Sequence, residues 1–238
     1  AGYTGIPDVL EAGYGGFLSS LVGEWTHAAL TAELGARWEI LKVGFKPAPA
    51  SNGSIVAMSA LDAIMREHAL KADDIASVTA HVSTNTLHHC GWDYDPAKVQ
   101  GVLAAQMNLR YGMAVMALER RATVDQFTEA KMRDRVILDF VKRVNVALEP
   151  AFDAAGKLRV ACRAVVKTRN GAVHEAQVLY RKGTPEDPMS AGELDAKFMG
   201  LAGKALPASA VARVAGVAAR LDGLASTNEL TPLLVATS

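Results

Sequence analysis

The fold of this protein is indicated most directly by residues 159–180, which read RVACRAVVKTRNGAVHEAQVLY. Two strand-like runs, 159–168 and 172–180, flank the sequence Arg169-Asn170-Gly171. An Asn-Gly pair between two such runs is the strongest short-range signal of a β-hairpin, because both residues tolerate the positive φ of a tight turn. The sequence therefore predicts two antiparallel strands joined through Asn170 and Gly171.

The segments before the hairpin predict one further strand and two helices. β-Branched residues alternate across 75–83, which is typical of a half-buried strand. Apolar residues recur at three-to-four spacing across 55–65, which predicts a helix with one apolar face and Ser54 as its N-cap. Residues 98–121 are apolar over so broad a surface that we expect a largely buried helix there.

Further helices are predicted on both sides of the hairpin. Asp134 is placed to cap a helix at 134–141, after which the chain is expected to become extended before Pro150. The sequence Ser190-Ala191-Gly192-Glu193 forms a capping box that opens another helix, and a last helix is predicted at 207–221. Helices segregated from an antiparallel hairpin indicate an α+β fold.

Composition and charge exclude several classes of partner. Of the 238 residues 50% are hydrophobic, and 25 Lys and Arg balance 25 Asp and Glu. This balance gives no net field to attract a nucleic acid or a membrane surface, so neither is expected as a partner. Cys90 and Cys162 are the only cysteines and form neither a CxxC motif nor a disulfide-dense pattern, which favours a cytoplasmic location. We expect a small-molecule ligand.

Targeting and anchoring signals are not visible in the sequence. No run approaches the roughly 20 apolar residues that a membrane-spanning helix needs, and no signal peptide is recognisable. The chain begins with Ala1 rather than Met and has little sequence before its first predicted element. We therefore expect a fragment, a processed product or one half of a split protein.

Lys46 is the leading candidate for a functional residue. It lies in residues 44–54, which read GFKPAPASNGS. Pro47 and Pro49 fix φ and exclude a helix, so the lysine is carried on a stiff loop. A cation on a pinned backbone loses less entropy when it holds a carboxylate or transfers a proton beside one. The alternative is an ordinary surface loop with a solvated lysine.

Residues 86–92 contain the side chains best suited to a metal, including His88, His89 and a cysteine. Adjacent side chains cannot easily converge on one ion, so no metal is expected. The segment is instead predicted to be a loop near a pocket, with His88 as a candidate substrate contact. Gln106 is another candidate, because a polar side chain in an apolar helix must find a partner, line a cavity or meet solvent at the helix end.

Four stretches together resemble a known family. They are Tyr3 to Phe17, Phe45-Lys46-Pro47-Ala48-Pro49-Ala50, Ala105-Gln106-Met107-Asn108-Leu109-Arg110-Tyr111, and Gly183 to Phe198. Their order resembles that in the C-terminal half of the MmgE/PrpD family, which contains 2-methylcitrate dehydratase, cis-aconitate decarboxylase and iminodisuccinate epimerase. None of the four is diagnostic alone, but four in order over nearly all of the chain are fairly specific.

The resemblance implies a domain organisation. A small α+β lid domain, with an antiparallel sheet and packed helices, is expected at residues 42–200. Residues 1–41 would be the end of a larger all-α domain, and residues 201–238 would be helices that return to it. Family members are usually dimeric, so we expect self-association, and they work without a metal or a nucleotide cofactor.

The resemblance also implies a chemistry and two catalytic residues. The family removes a proton next to a carboxylate of a small polycarboxylate, and then loses water, loses carbon dioxide or inverts the centre. Lys46 matches the active-site lysine of the family, which would hold a substrate carboxylate or share in proton transfer. Tyr111 matches a tyrosine near the site.

Departures from the family pattern leave two functions open. Many relatives continue the proline loop with Ala-Cys-Arg-Tyr-Thr-His, whereas this chain has Ala50-Ser51-Asn52-Gly53-Ser54-Ile55. Ser51 and Asn52 are therefore candidate substrate contacts that would set specificity. The remaining acid–base residues belong to the N-terminal half, so the chain would be part of a hydro-lyase that needs the N-terminal helical portion or a partner subunit. The alternative is a non-catalytic ligand-binding or assembly subunit.

Overall fold

A computed structural model describes residues 2, 5, 8–10, 12–13, 16–22, 24–99, 101–154 and 159–235 of the chain. Contacts between residues divide the chain into two compact units, 1–42 and 43–238. Whether residues 1–41 and 201–238 belong to a larger helical domain stays a prediction.

The first unit contains only short elements. Its helices are α1 (Phe17–Leu21), α2 (His27–Thr31) and a 3-10 helix at Glu39–Lys42. Thr26 caps α2 by accepting a hydrogen bond from the backbone N–H of Ala29. Residues 8–10 form a turn.

The second unit combines α-helices with four strands. In chain order its elements are α3 (Asn52–Glu67), β1 (Ile75–Val82), α4 (Thr84–Cys90), α5 (Gly101–Gln106), α6 (Leu109–Glu119), α7 (Glu129–Met132), α8 (Arg135–Val141), β2 (Val144–Leu148), α9 (Pro150–Ala154), β3 (Cys162–Thr168), β4 (Val173–Val178), α10 (Ala191–Ala202) and α11 (Ala208–Ala218). Short 3-10 helices occur at Ala72–Asp74, Val124–Gln126, Leu221–Gly223, Thr227–Glu229 and Thr231–Leu234.

The four strands form one sheet in the order β2-β1-β3-β4. The predicted hairpin is confirmed: β3 and β4 are antiparallel, with Lys167 opposite Val173, and Gly171 in the turn has φ of +92°. The pair β1–β3 is also antiparallel, but β2 runs parallel to β1. The α+β class is confirmed, while the sheet is mixed rather than purely antiparallel because a long helical connection lets β2 return in the direction of β1.

The core lies between the sheet, α3 and α6. Helix α3 packs against β3 and β4 on one side and against α6 on the other. Ala164 and Val166 of β3 alternate inward and are fully buried, as are Leu61 and Ile64 of α3. Burying such side chains contributes about 1.5–3 kcal/mol for each large aliphatic residue, so α3 is fixed firmly in position. A rigid α3 in turn fixes the loop that precedes it.

Three local predictions from the sequence are wrong. Ser51 rather than Ser54 caps α3, because the Ser51 side chain accepts from the backbone N–H of Ser54. The single helix expected at 98–121 is broken, because the Asn108 side chain accepts from the N–H of Tyr111 and starts α6. The loop expected at 86–92 is mostly helix α4.

No helix in the described ranges has both the length and the apolar character needed to cross a membrane.

Candidate functional site

The loop that carries Lys46, residues 44–51, is braced by the segment 181–183. The backbone N–H of Phe45 donates to the carbonyl of Gly183 at 2.7 Å. The buried Arg181 guanidinium donates to the carbonyl oxygens of Phe45 at 2.7 Å and Lys182 at 2.8 Å. A Cβ at Gly44 would lie 2.4 Å from the carbonyl oxygen of Gly183, so the two segments can approach this closely only with glycine there.

Lys46 itself has no acidic partner. Its Nζ donates a hydrogen bond to the carbonyl oxygen of Ala50 at 3.2 Å. The residue is exposed, and no carboxylate in the described parts of the chain lies within salt-bridge distance of its ammonium group. Its backbone carbonyl accepts from Lys197 Nζ at 2.8 Å, which adds a further hold on the loop. Lys46 is therefore a positioned cation whose charge is not neutralised by the protein.

Ser51 joins the Lys46 loop to α3 and to the end of α5. Its backbone N–H donates to the carbonyl of Gln106 at 2.9 Å, and its side chain accepts from the N–H of Ser54 at 3.1 Å. The two serine hydroxyls are also 2.7 Å apart. Both residues are buried, so these contacts fix the first turn of α3. The positive end of the helix dipole consequently lies beside the Lys46 loop.

A cavity of about 300 Å³ lies where the Lys46 loop and the start of α3 meet α4, and we call it the polar cavity. Its lining residues are Lys46, Ser51, Asn52, Gly53, Asn85, Thr86, His89, Cys90, Met107 and Val160. It combines a cation, an imidazole, two amides and hydroxyl groups. Such a set suits a small polar anion, because each carboxylate oxygen can find a donor.

Cys90 is not a nucleophile in this arrangement. Burial raises the pKa of its thiol, and hydrogen bonds with Ser51 and Ser54 offset this only in part. Its Sγ donates to the carbonyl of Thr86 at 3.4 Å. A thiol that stays protonated is unreactive, so Cys90 serves as a lining group rather than an attacking group. Cys162 is buried too, and its pKa is raised to about 12 by burial.

The structure brings together some of the residues that the sequence predicted. Lys46, Ser51 and Asn52 all line the polar cavity. His88 is exposed on α4 and is not among the lining residues, whereas His89 is. Gln106 contributes its backbone carbonyl to Ser51. The signal for His89 was present in the sequence, but only the helical geometry of 84–90 distinguishes two adjacent histidines, about 100° apart around a helix axis.

Tyr111 lies in the core. It is fully buried, and its hydroxyl donates to the carbonyl of Gln126 at 2.7 Å. Its ring stacks on Tyr94 with centroids 5.2 Å apart, and burial raises its pKa above the usual value. Tyr111 lines neither of the cavities described in this chain. This placement argues against the catalytic role that the resemblance implied for it.

Metal-binding chemistry is not visible in the described segments. No group of three or more His, Cys, Asp or Glu side chains there could hold a metal ion.

Comparison with known proteins identifies relatives over nearly all of the chain. The model of the MmgE/PrpD C-terminal domain matches residues 49–222. Cis-aconitate decarboxylase of Aspergillus terreus is 25% identical over 246 residues, which cover 98% of this chain and 50% of the relative. Cis-aconitate decarboxylase-like protein oryM of Aspergillus oryzae is 23% identical over 244 residues, which cover 98% of this chain and 50% of that relative. The chain thus spans about half the length of the curated relatives it matches.

Proposed function

Because the chain belongs to the MmgE/PrpD family, we propose that it is the C-terminal part of a lyase or isomerase that acts on a small di- or tricarboxylate. The reaction would begin with removal of a proton next to a carboxylate and end in dehydration, decarboxylation or epimerisation. The names of the relatives from Aspergillus support a lyase. Within this proposal the lyase could be a hydro-lyase similar to 2-methylcitrate dehydratase. The proposed location is the cytoplasm.

The observation that carries this proposal is the unpaired Lys46 at the rim of the polar cavity. Its ammonium group would hold a substrate carboxylate and stabilise the negative charge that develops when the neighbouring carbon loses its proton. Asn52 and His89 line the same cavity and can donate to a second carboxylate. These roles need no metal or organic cofactor.

Two groups of this chain that could exchange a proton are not placed to do so in the polar cavity. Cys90 is held as a thiol and Tyr111 is directed into the core. The proton-accepting group is therefore proposed to come from an N-terminal helical portion or from a partner subunit, and a dimer is the proposed assembly. On this proposal the chain contributes the carboxylate-binding side of the site.

The test combines the chain with the N-terminal helical portion and follows the ultraviolet absorbance of an unsaturated product from tricarboxylic acids. Lys46→Ala is expected to lower the turnover rate by about a hundredfold or more, as is typical when one oxyanion-stabilising donor is removed. Lys142→Ala is the matched control, because Lys142 is exposed and pairs with Asp139 at 2.7 Å, outside both cavities. Wild-type turnover by Lys46→Ala would overturn the assignment of Lys46.

A non-catalytic ligand-binding or assembly subunit is the second candidate. It is favoured by Ser51, which is engaged as the N-cap of α3, and by the buried hydroxyl of Tyr111. Under this alternative the combined protein would bind citrate-like acids in calorimetry and show no turnover of any of them. Binding accompanied by turnover would exclude it.

A further inference from the structure

A second cavity, which we call the apolar cavity, lies between the Lys46 loop, residues 121–125 and α10. Its volume is about 580 Å³, within the range of roughly 300–1,000 Å³ typical of small-molecule sites. Its lining residues are Lys46, Pro47, Ala48, Pro49, Arg121, Thr123, Val124, Asp125, Met189, Glu193, Ala196, Lys197, Gly200, Leu201 and Lys204. Nothing in the proposed reaction uses this cavity.

The walls of this cavity are mainly aliphatic. The apolar lining residues include Pro47 and Pro49 of the Lys46 loop, together with Val124, Met189 and Leu201. Leu201 is 43% exposed, and α10 has no buried residue in this structure. An aliphatic group placed here would remove apolar surface from water, which contributes about 25 cal/mol for each Å² buried.

The lining of the cavity carries a net positive charge, because its cations outnumber its carboxylates. Lys204 forms a close ion pair with Asp125. Glu193 accepts from the backbone N–H of Ser190 and lies 3.5 Å from Lys182 Nζ, a cation that it shares with Asp187.

Two cations at the rim keep their charge. Within the described ranges, Lys197 donates only to the neutral carbonyl of Lys46. Arg121 makes no hydrogen bond or ion pair with any described residue, and its charge acts on Asp125 and Glu119 only from beyond ion-pair distance. The guanidinium of Arg121 and the ammonium of Lys197 thus remain available to an anion at the edge of an apolar cavity.

We propose that the apolar cavity binds an organic monoanion with an aliphatic tail. The anionic head contacts Arg121 and Lys197, and the tail packs between Pro47, Pro49 and Leu201. This ligand differs from the polycarboxylate proposed for the polar cavity in its tail, because the aliphatic walls offer a hydrocarbon chain apolar contacts that charged groups cannot use. The site is therefore distinct in ligand class from the polar cavity, although Lys46 borders both.

The first test is calorimetry of octanoate against the 238-residue chain, with 1-octanol as the uncharged comparison. Octanoate is expected to bind and octanol to bind at least tenfold more weakly. Arg121→Gln is expected to weaken octanoate binding about tenfold, which corresponds to about 1.4 kcal/mol. Arg135→Gln is the matched control, because Arg135 is also exposed but lies on α8 outside the cavity.

The second test fills the cavity. A Cβ at Gly200 or at Gly192 of α10 would meet no atom within 4 Å, so both positions accept a side chain, but only Gly200 lines the cavity. Gly200→Phe is expected to abolish octanoate binding and Gly192→Phe to leave it unchanged, with equal helix content by circular dichroism in both. The proposal is overturned if octanoate does not bind the wild-type chain, if octanol binds equally well, or if Arg121→Gln or Gly200→Phe has no effect.

Discussion

Arg181 is a buried cation that braces the Lys46 loop, although it lines neither cavity. Its side chain is only 8% exposed, and burial lowers its pKa from the usual value without any acidic partner. It is stabilised instead by the carbonyl oxygens of Phe45 and Lys182. Because Phe45 precedes Lys46, these hydrogen bonds hold the proposed carboxylate-binding lysine in place.

Replacing Arg181 by Met tests this bracing role. The change leaves the Phe45 and Lys182 carbonyls without their donor, and hydrogen bonds to a charged group contribute about 1.5–3 kcal/mol. We expect Arg181→Met to lower the free energy of unfolding in urea by about that amount. Arg169→Met is the control: Arg169 also donates to a carbonyl, that of Asp73 at 2.8 Å, but it is exposed and should change stability by less than about 0.5 kcal/mol. Equal effects of the two substitutions would contradict the bracing role.

At the level of single residues, the functional role of Lys46 stays a prediction, but the sequence did indicate where this residue lies. Lys46 was predicted from its rigid, proline-flanked loop, and the structure shows it at a cavity rim. The core position of Tyr111 was not predictable. It depends on stacking against Tyr94, which is distant in sequence, and on the Gln126 carbonyl, whose position is set by a local turn. His89 was not separated from His88 because the segment was assigned to a loop.

At the level of elements, the contact between α3 and α4 shapes the polar cavity. A Cβ at Gly53 would lie 2.5 Å from Thr86 Cγ2 and 3.1 Å from Cys90 Sγ. Gly53 thus allows the first turn of α3 to approach α4 closely. Any larger residue must separate the two helices and alter the cavity between them.

Gly53→Ala is expected to destabilise the fold even though alanine is a better helix former. Overpacking in a tight contact costs about 1–3 kcal/mol, which exceeds the gain of about 0.5–1 kcal/mol from replacing a helical glycine. Gly192→Ala in α10 is the control, because its Cβ position is open and the substitution should be neutral or stabilising. Thermal unfolding of both variants separates the two effects, and a stabilised Gly53→Ala would contradict the close approach.

Element boundaries were less predictable than the elements themselves. The strand at 75–83 and the hairpin at 159–180 are confirmed because their alternation matches the burial of β1 and β3. The break before α6 was missed because the apolar character of 98–121 predicted one continuous helix, in which Asn108 was not recognised as a cap. Both errors about where a helix starts have one cause. In each case a short polar side chain lies at the end of one segment and caps the helix that follows.

At the level of the whole molecule, the sheet contains a charged network with a pH dependence. His81 of β1 is opposite Arg163 of β3, and Arg163 Nη2 donates to Glu149 at 2.9 Å. Burial lowers the pKa of His81, and the positive charge of Arg163 lowers it further. The negative charges of Glu149 and Glu175 act in the opposite direction. The hydrogen bond from Arg163 lowers the pKa of Glu149.

This network predicts a loss of stability as the pH falls. A histidine with a lowered folded-state pKa binds fewer protons in the native than in the unfolded state. Its contribution to stability is therefore present above the ordinary histidine pKa near 6.5 and declines as the pH falls below that value. Thermal unfolding at pH 7.5, 6.5 and 5.5 should show that wild type loses more stability than His81→Gln. His88→Gln, at an exposed position, should follow wild type. Equal slopes for wild type and His81→Gln would contradict the prediction.

The overall class of the fold was predictable, and its topology was not. Segregated helices and the Asn170-Gly171 turn predicted α+β correctly. The parallel pairing of β2 with β1 could not be read from 144–148, because a five-residue strand carries no information about which neighbour it joins or in which direction. The long helical connection between them decides the pairing.

The most direct measurement is a crystal structure of the chain combined with the N-terminal helical portion and a bound tricarboxylate such as cis-aconitate. We predict that a carboxylate oxygen lies in the polar cavity within about 3 Å of Lys46 Nζ, at the distance of a charge-assisted hydrogen bond. Lys46 would then exchange its contact with the Ala50 carbonyl for the ligand. A tricarboxylate bound elsewhere, with Lys46 Nζ still on the Ala50 carbonyl, would contradict the carboxylate-binding role of Lys46.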